Sequence, residues 1–158
     1  NLRKALGKDA PKDLAELQQW KYNEPEKFKF VQLDYQRRIH LLQHPELKLP
    51  NAERATAADA KFEKYLFGGT HPEGLAKGAA FTSRLGYDID NWQNLRDEIL
   101  NRASRYPTTL KSSGKFGDNY EQKIIVYGFK GTPANVIVGW NVIGDVTKFT
   151  TAYIKEVK

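Results

Sequence analysis

The chain has 158 residues, of which 40% are hydrophobic and 28% are charged, a composition typical of one globular domain or of a domain with an appendage. No apolar run is long enough to span a membrane, and the first twenty residues are too charged for a signal peptide. Because cysteine is absent, disulfides, thiol catalysis and thiolate zinc sites are excluded.

The net charge of +6 favours a polyanionic partner, although simple solubility is an alternative explanation. Methionine is absent too, which predicts that the chain is a piece of a longer polypeptide. A chain without cysteine passes unchanged between oxidising and reducing compartments, and this suits an exported cargo.

Two regions are predicted, an N-terminal helical extension or linker over residues 1–48 and a compact domain over residues 49–158. Between Pro25 and Pro45 the spacing of apolar residues suggests an imperfect helix. Whether this helix packs on the main domain is left open by the sequence.

The compact domain begins with three predicted helices. The first covers residues 57–67 and stops at a glycine pair, and the second covers residues 75–85 and is closed by Gly86. Asp90 precedes the third helix, and Gln93 lies three positions on, so the pair predicts a capping box.

The period of the apolar pattern then changes toward two, which predicts strands over residues 121–131, 135–144 and 148–157. Three sequential strands with short connections form an antiparallel meander. Helices first and strands after predict an α+β fold with helices packed on one face of the sheet.

Familiar catalytic signatures are missing, since the chain contains no G-x-S-x-G, no phosphate-binding glycine loop and no H-E-x-x-H. His40 and His44 are four residues apart but need a third ligand, so a solvated helix face explains them better than a metal. Glu121 and Lys123 form the E-x-K half of a metal-dependent nuclease motif. Asp118 is too close to serve as the usual upstream ligand, and an exposed strand edge is the favoured interpretation.

The stretch "GGTHPEGLAKGAAF" contains the most informative residues. As a helix start, Thr70 would cap, Pro72 would occupy the first turn, and Glu73 would favour the positive end of the helix dipole. That interpretation accounts for neither His71 nor Lys77.

A helix N-terminus is also an anion site, because its free N–H groups point outward. Metal-free RNA cleavage needs a base for the 2′-OH proton, cations and N–H donors for the phosphorane, and an acid for the leaving oxygen. Histidine ordinarily titrates close to neutrality, which suits proton transfer. For His71 the helix-start interpretation and the functional one both remain open.

The last strand carries a second candidate cluster. Alternation places Thr151, Tyr153 and Lys155 on one face, where they are either good strand formers or ligands for a phosphate. Trp140, on the preceding strand, is either a core residue or a surface on which an unpaired base stacks.

Residues 48–155 resemble a small bacterial domain family found at the C-termini of contact-dependent growth inhibition proteins and other polymorphic toxins. The resemblance lies in "LPN" at 49–51, in the H-P-x-G-x-x-K loop from His71 to Lys77, in "LG" at 85–86, in Trp92 with "LR" at 95–96, and in Trp140 with "TAY" at 151–153. It is specific in the loop and looser in the strands.

This resemblance implies a toxin that cleaves RNA, with tRNA as the substrate, no cofactor, and a sheet like that of the barnase/EndoU/colicin/RelE-type toxins. His71, Lys77, Thr151 and Tyr153 carry over as catalytic candidates. Arg84, chosen for its charge, joins Trp140 and Lys155 as a substrate-binding candidate.

The resemblance also implies partners and a location. The partners are a cognate immunity protein and, for some tRNA-cleaving relatives, elongation factor Tu. The location is the C-terminus of a large exported surface protein that acts in the cytoplasm of a target cell. Two other hypotheses remain, a metal-dependent DNase using Glu121 and Lys123, and a non-enzymatic module of a surface protein.

Overall fold

The structure is a computed structural model that describes residues 14–129 and 133–157. The predicted α+β class is confirmed: helices come first and a four-stranded antiparallel sheet follows. The main elements are α1 (Leu14–Asn23), α2 (Pro25–Gln43), α3 (Pro72–Leu85), α4 (Trp92–Arg102), β1 (Thr108–Gly114), β2 (Gly117–Val126), β3 (Ala134–Ile143) and β4 (Val146–Ile154). Among the described residues, no helix has the length and apolar character needed to cross a membrane.

The sheet is a meander in the order β1-β2-β3-β4, and it contains one strand that the sequence did not predict. That strand, β1, is buried only at Thr108 and exposed along the rest of its length, so it shows no alternation of apolar residues. β2 starts at Gly117, before the predicted 121, and ends at Val126. Residues 130 and 131 of that predicted strand lie outside the described residues.

One face of the sheet forms the main core. Alternate residues of β2 and β3, such as Ile124, Val126, Val136 and Val138, pack in one cluster with the apolar faces of α3 and α4. Phe81, the central core residue of α3, is fully buried, as are Leu95 and Ile99 of α4. This layer holds α3 beside β4, an edge strand, and thereby brings the start of α3 close to the C-terminal strand.

The N-terminal helix α2 packs on the sheet rather than standing apart. Asp34 of α2 accepts hydrogen bonds from the hydroxyls of Tyr106 and Tyr127 and pairs with Arg38 at 2.7 Å. Lys29, near the start of α2, donates to the carbonyl of Val157 beyond β4. α2 is therefore joined to the domain by a buried polar network.

One predicted helix is shorter in the structure, and one predicted cap does not form. Within the predicted helix 57–67, residues 60–61 are α-helical and continue into the π-helical turn Phe62–Leu66, while the chain before them runs close to β4, where Thr56 pairs with Lys148. The capping box at Asp90 does not form. Asn91 occupies the N-cap position of α4, but its side chain bonds the loop before the helix, accepting from the Asp88 N–H.

Candidate active site

His71 itself caps α3, in place of Thr70, to which the sequence pattern assigned that role. Its Nδ1 accepts a hydrogen bond from the Glu73 N–H at 3.2 Å, and Pro72 occupies the first turn as predicted. A neutral imidazole that accepts through Nδ1 carries its proton on Nε2. The exposed ring therefore presents an N–H donor at the positive end of the helix dipole.

Lys77 lies farther along α3, with its side chain 19% exposed. Its Nζ donates to Thr151 Oγ1 at 3.1 Å and lies 3.5 Å from the hydroxyl of Tyr65. The same ammonium is 5.5 Å from the ring centre of Tyr153, and it forms a longer ion pair, 3.5 Å, with the exposed carboxylate of Glu73. Hydroxyls and aromatic faces, rather than a buried carboxylate, thus hold this cation.

Tyr65 lies beside His71 and Lys77, although no sequence pattern singled it out. Its ring centre lies 5.7 Å from that of His71 and 5.6 Å from Lys77 Nζ. The signal in the sequence was Gly74: a Cβ there would lie 2.4 Å from the Tyr65 carbonyl oxygen. Gly78 is equally constrained, since its Cβ would lie 1.7 Å from the Leu66 oxygen. The two glycines let α3 approach the π-helical turn closely enough to bring Tyr65 between His71 and Lys77.

The structure therefore brings four predicted residues into one place, His71 and Lys77 from α3 and Thr151 and Tyr153 from β4. The cluster formed by these four residues and Tyr65 is called the edge cluster below. It combines an imidazole, a cation, three hydroxyl groups and the N-terminus of a helix. Such a set can bind an anion and move protons at its oxygen atoms.

Three predicted substrate-binding residues lie apart from these contacts. Trp140 is fully buried and donates from Nε1 to Gln122, so it is a core residue and the stacking hypothesis for it is wrong. Arg84 bonds Glu156 and the Pro133 carbonyl near the other end of α3. Lys155 is exposed just beyond the end of β4, where its N–H donates to the Asn135 carbonyl.

The candidates for metal binding find no support in the geometry. Glu121 lies within β2 rather than at its start, and Lys123 follows it on the same face. His40 and His44 contact each other, with ring centres 4.6 Å apart. Across the described ranges, no three histidine, aspartate or glutamate side chains come together in a way that could hold a metal ion.

Comparison with known proteins identifies a domain family but no function. Residues 48–156, more than half of the chain, match the family described as "Domain of unknown function (DUF6883)". No curated protein and no solved structure matches the chain. The matched region starts after α2 and contains the whole edge cluster.

Proposed function

We propose that this chain, which belongs to the DUF6883 family, is an endoribonuclease toxin domain that cleaves tRNA without a metal ion. One observation carries the proposal: Tyr65 joins His71, which caps the N-terminus of α3, to Lys77 and its neighbours on β4. The basic net charge of the chain agrees with a polyanionic substrate. The toxin context and the choice of tRNA come from the resemblance in the H-P-x-G-x-x-K loop.

The reaction is a transesterification. The 2′-oxygen of a ribose attacks the adjacent phosphorus, the bond from phosphorus to the 5′-oxygen breaks, and the products are a 2′,3′-cyclic phosphate and a 5′-hydroxyl. One proton leaves the 2′-OH and one reaches the 5′-oxygen, so atoms and charge balance. Lys77 and the first N–H groups of α3 supply the positive potential that stabilises the doubly charged phosphorane.

The cap formed by His71 connects phosphate binding to proton transfer. While Nδ1 accepts from the Glu73 N–H, its lone pair is occupied. The ring can then neither take up a proton at Nδ1 nor hold one there to give away. A phosphate oxygen can replace the ring as the acceptor for that N–H, and the imidazole is then released to take or give a proton. Substrate binding thereby activates His71 as the base or the acid of the reaction.

Partners follow from the same proposal. A toxin of this kind requires an immunity protein in the producing cell, and elongation factor Tu is the proposed auxiliary partner on the tRNA. The proposed route is export as the C-terminus of a large surface protein, followed by action in the target-cell cytoplasm.

The direct test incubates the purified chain with total tRNA in EDTA, with and without elongation factor Tu, and maps the RNA ends. We expect cleavage that leaves 2′,3′-cyclic phosphates. His71→Ala should slow it by roughly a hundredfold to ten-thousandfold, because general acid–base catalysis contributes about that much. His44→Ala is the matched control, since it removes another exposed histidine at the end of α2.

Cleavage by His71→Ala at the parental rate, or products without cyclic ends, would contradict the mechanism. Magnesium-dependent nicking of plasmid DNA that is lost in Glu121→Ala and kept in His71→Ala would establish the DNase hypothesis instead. No nucleolytic activity under any of these conditions, together with harmless cytosolic expression without an immunity gene, would favour the non-enzymatic module.

A further inference from the structure

A basic pocket lies on the same face of the sheet as Thr151 and Tyr153 of the edge cluster. It has a volume of about 210 Å³ and is bordered by α2, the start of β1 and the middle of β2. Arg37, His40, Lys123 and Glu121 are its titratable residues, and Thr108 and Thr109 add hydroxyls. Two permanent cations therefore face a single carboxylate in this pocket.

Arg37 is the least satisfied group in that lining. Its Nη1 is buried and has no hydrogen-bond partner among the described residues. Burial lowers the pKa of Arg37, although the nearby Tyr106 and Asp34 act in the opposite direction. A guanidinium in this position is stabilised by an anion that accepts its hydrogen bond.

Strand register connects the pocket with the edge cluster. Thr109 is opposite Glu121, Glu121 is opposite Gly139, and Gly139 is opposite Thr151, so one row crosses all four strands. In the neighbouring row Lys123 is opposite Ile137, which is opposite Tyr153. Directly opposed residues of an antiparallel sheet project from the same face.

The span between the two sites suits a nucleic-acid backbone. Lys123 and Tyr153 are separated by two strand spacings, about 10 Å between backbones. Gly139, half-buried in the middle of the first row, has no side chain to obstruct the path from Glu121 to Thr151. A Cβ at this position would lie 2.7 Å from Thr150 Oγ1, so any larger residue would force that hydroxyl to move.

We propose that the pocket formed by Arg37, His40 and Lys123 binds an RNA backbone phosphate a short run of nucleotides away from the one cleaved at the edge cluster. This inference rests on the proposed ribonuclease function and adds to it. It also gives α2 a functional role, since the helix lies outside the matched family region yet supplies Arg37 and His40.

The test measures tRNA binding rather than cleavage, in the His71→Ala background, by fluorescence anisotropy over a range of salt concentrations in EDTA. Each lost phosphate contact lowers the slope of log affinity against log salt by about one. We expect that reduction, with about tenfold weaker binding, for Lys123→Gln and for Arg37→Gln. Lys123 is exposed in β2, so its substitution leaves the fold intact.

Lys115→Gln is the matched control. This exposed lysine lies in the turn before β2, roughly 20 Å along the strand from Lys123. Arg37→Lys, which retains the charge, should keep most of the slope, and thermal unfolding of each variant identifies any loss of fold.

The inference is overturned if Lys123→Gln and Arg37→Gln keep the slope of Lys115→Gln. Its failure and that of the proposed function are distinguishable. Parental cleavage in EDTA with unchanged slopes contradicts only the second phosphate site. If Lys123→Gln and Arg37→Gln reduce the salt slope but the parent chain never cleaves RNA, the nuclease mechanism is contradicted and the pocket remains an RNA-binding site.

Discussion

Hydroxyl groups surround one charged side chain at two places in this molecule, with opposite consequences. Around Asp34, the hydroxyls of Tyr106 and Tyr127 and the guanidinium of Arg38 form a buried, closed network. Around Lys77, the hydroxyls of Thr151 and Tyr65 surround a cation at the edge of the sheet.

The difference lies in burial and in what compensates the charge. Asp34 is 3% exposed, both of its oxygens accept hydrogen bonds, and a cation pairs with it, so the network has no room for a ligand. The carboxylate nearest Lys77 is that of Glu73, which is exposed to solvent and 3.5 Å away. Similar side chains therefore stabilise α2 on the sheet in one place and leave a cation without a buried counter-charge in the other.

The largest effect is expected from Asp34→Ala. Removing one partner of a buried ion pair leaves Arg38 without its counter-charge and the two tyrosine hydroxyls without their acceptor, so we expect a loss of roughly 4 kcal/mol in the free energy of unfolding. Urea denaturation measures it. Asp97→Ala removes an aspartate whose pair with Arg96 is exposed, and it should cost less than about 1 kcal/mol. Equal losses in the two variants would show that the Asp34 network does not stabilise the docking of α2.

Alkaline titration tests the same network without mutation. Burial, reinforced by the charge of Asp34, raises the pKa of Tyr106 from 10.0 to about 12. The folded state then holds this proton more tightly than the unfolded chain, so the stabilisation is complete below pH 10 and is lost as pH rises toward 12. We expect the ionisation of Tyr106 alone to lower the free energy of unfolding by on the order of 2 kcal/mol over that interval.

Denaturation at a series of alkaline pH values, with tyrosinate absorbance as a second readout, measures this fall. Tyr106→Phe should flatten part of the curve. Burial also raises the pKa of Tyr87 and Tyr127, and these residues account for the remainder. If Tyr106→Phe loses stability with rising pH just as the parent does, then Tyr106 is not a cause of the alkaline loss of stability.

The smallest effect is expected in the edge cluster. Lys77→Met removes the charge and keeps an apolar stem against Tyr65 and Tyr153, so stability should change little while tRNA cleavage falls about tenfold in kcat/KM. Lys64→Met removes an exposed lysine from the neighbouring π-helical turn and should leave cleavage unchanged. Lower stability of Lys77→Met with unaltered cleavage would make Lys77 a structural residue like Asp34.

Sequence patterns determined much of the fold because they record local chemistry. Apolar alternation located β3 and β4 to within a few residues, and Pro72 and Gly86 marked the two ends of α3. β1 was missed since an edge strand with one buried residue has no period to detect. The capping box predicted at Asp90 did not form. The side chain of Asn91 bonds the backbone of the preceding loop, at Asp88 and Gly86, and such residues bond loop backbone as readily as a helix N-terminus.

For the site, the sequence selected His71, Lys77, Thr151 and Tyr153, and tertiary structure decided what each one contacts. Packing of α3 beside β4 brings Lys77 within 3.1 Å of Thr151, which lies 74 positions away along the chain. The same packing buries Trp140 and brings Tyr65 into the edge cluster. In the neighbouring sequence, only Gly74, nine residues later, indicates the close approach of Tyr65 to α3. Short stretches of sequence determine which residue types are present and where a helix begins and ends. Which side chains contact one another across the sheet depends instead on strand register and on how closely two backbones approach.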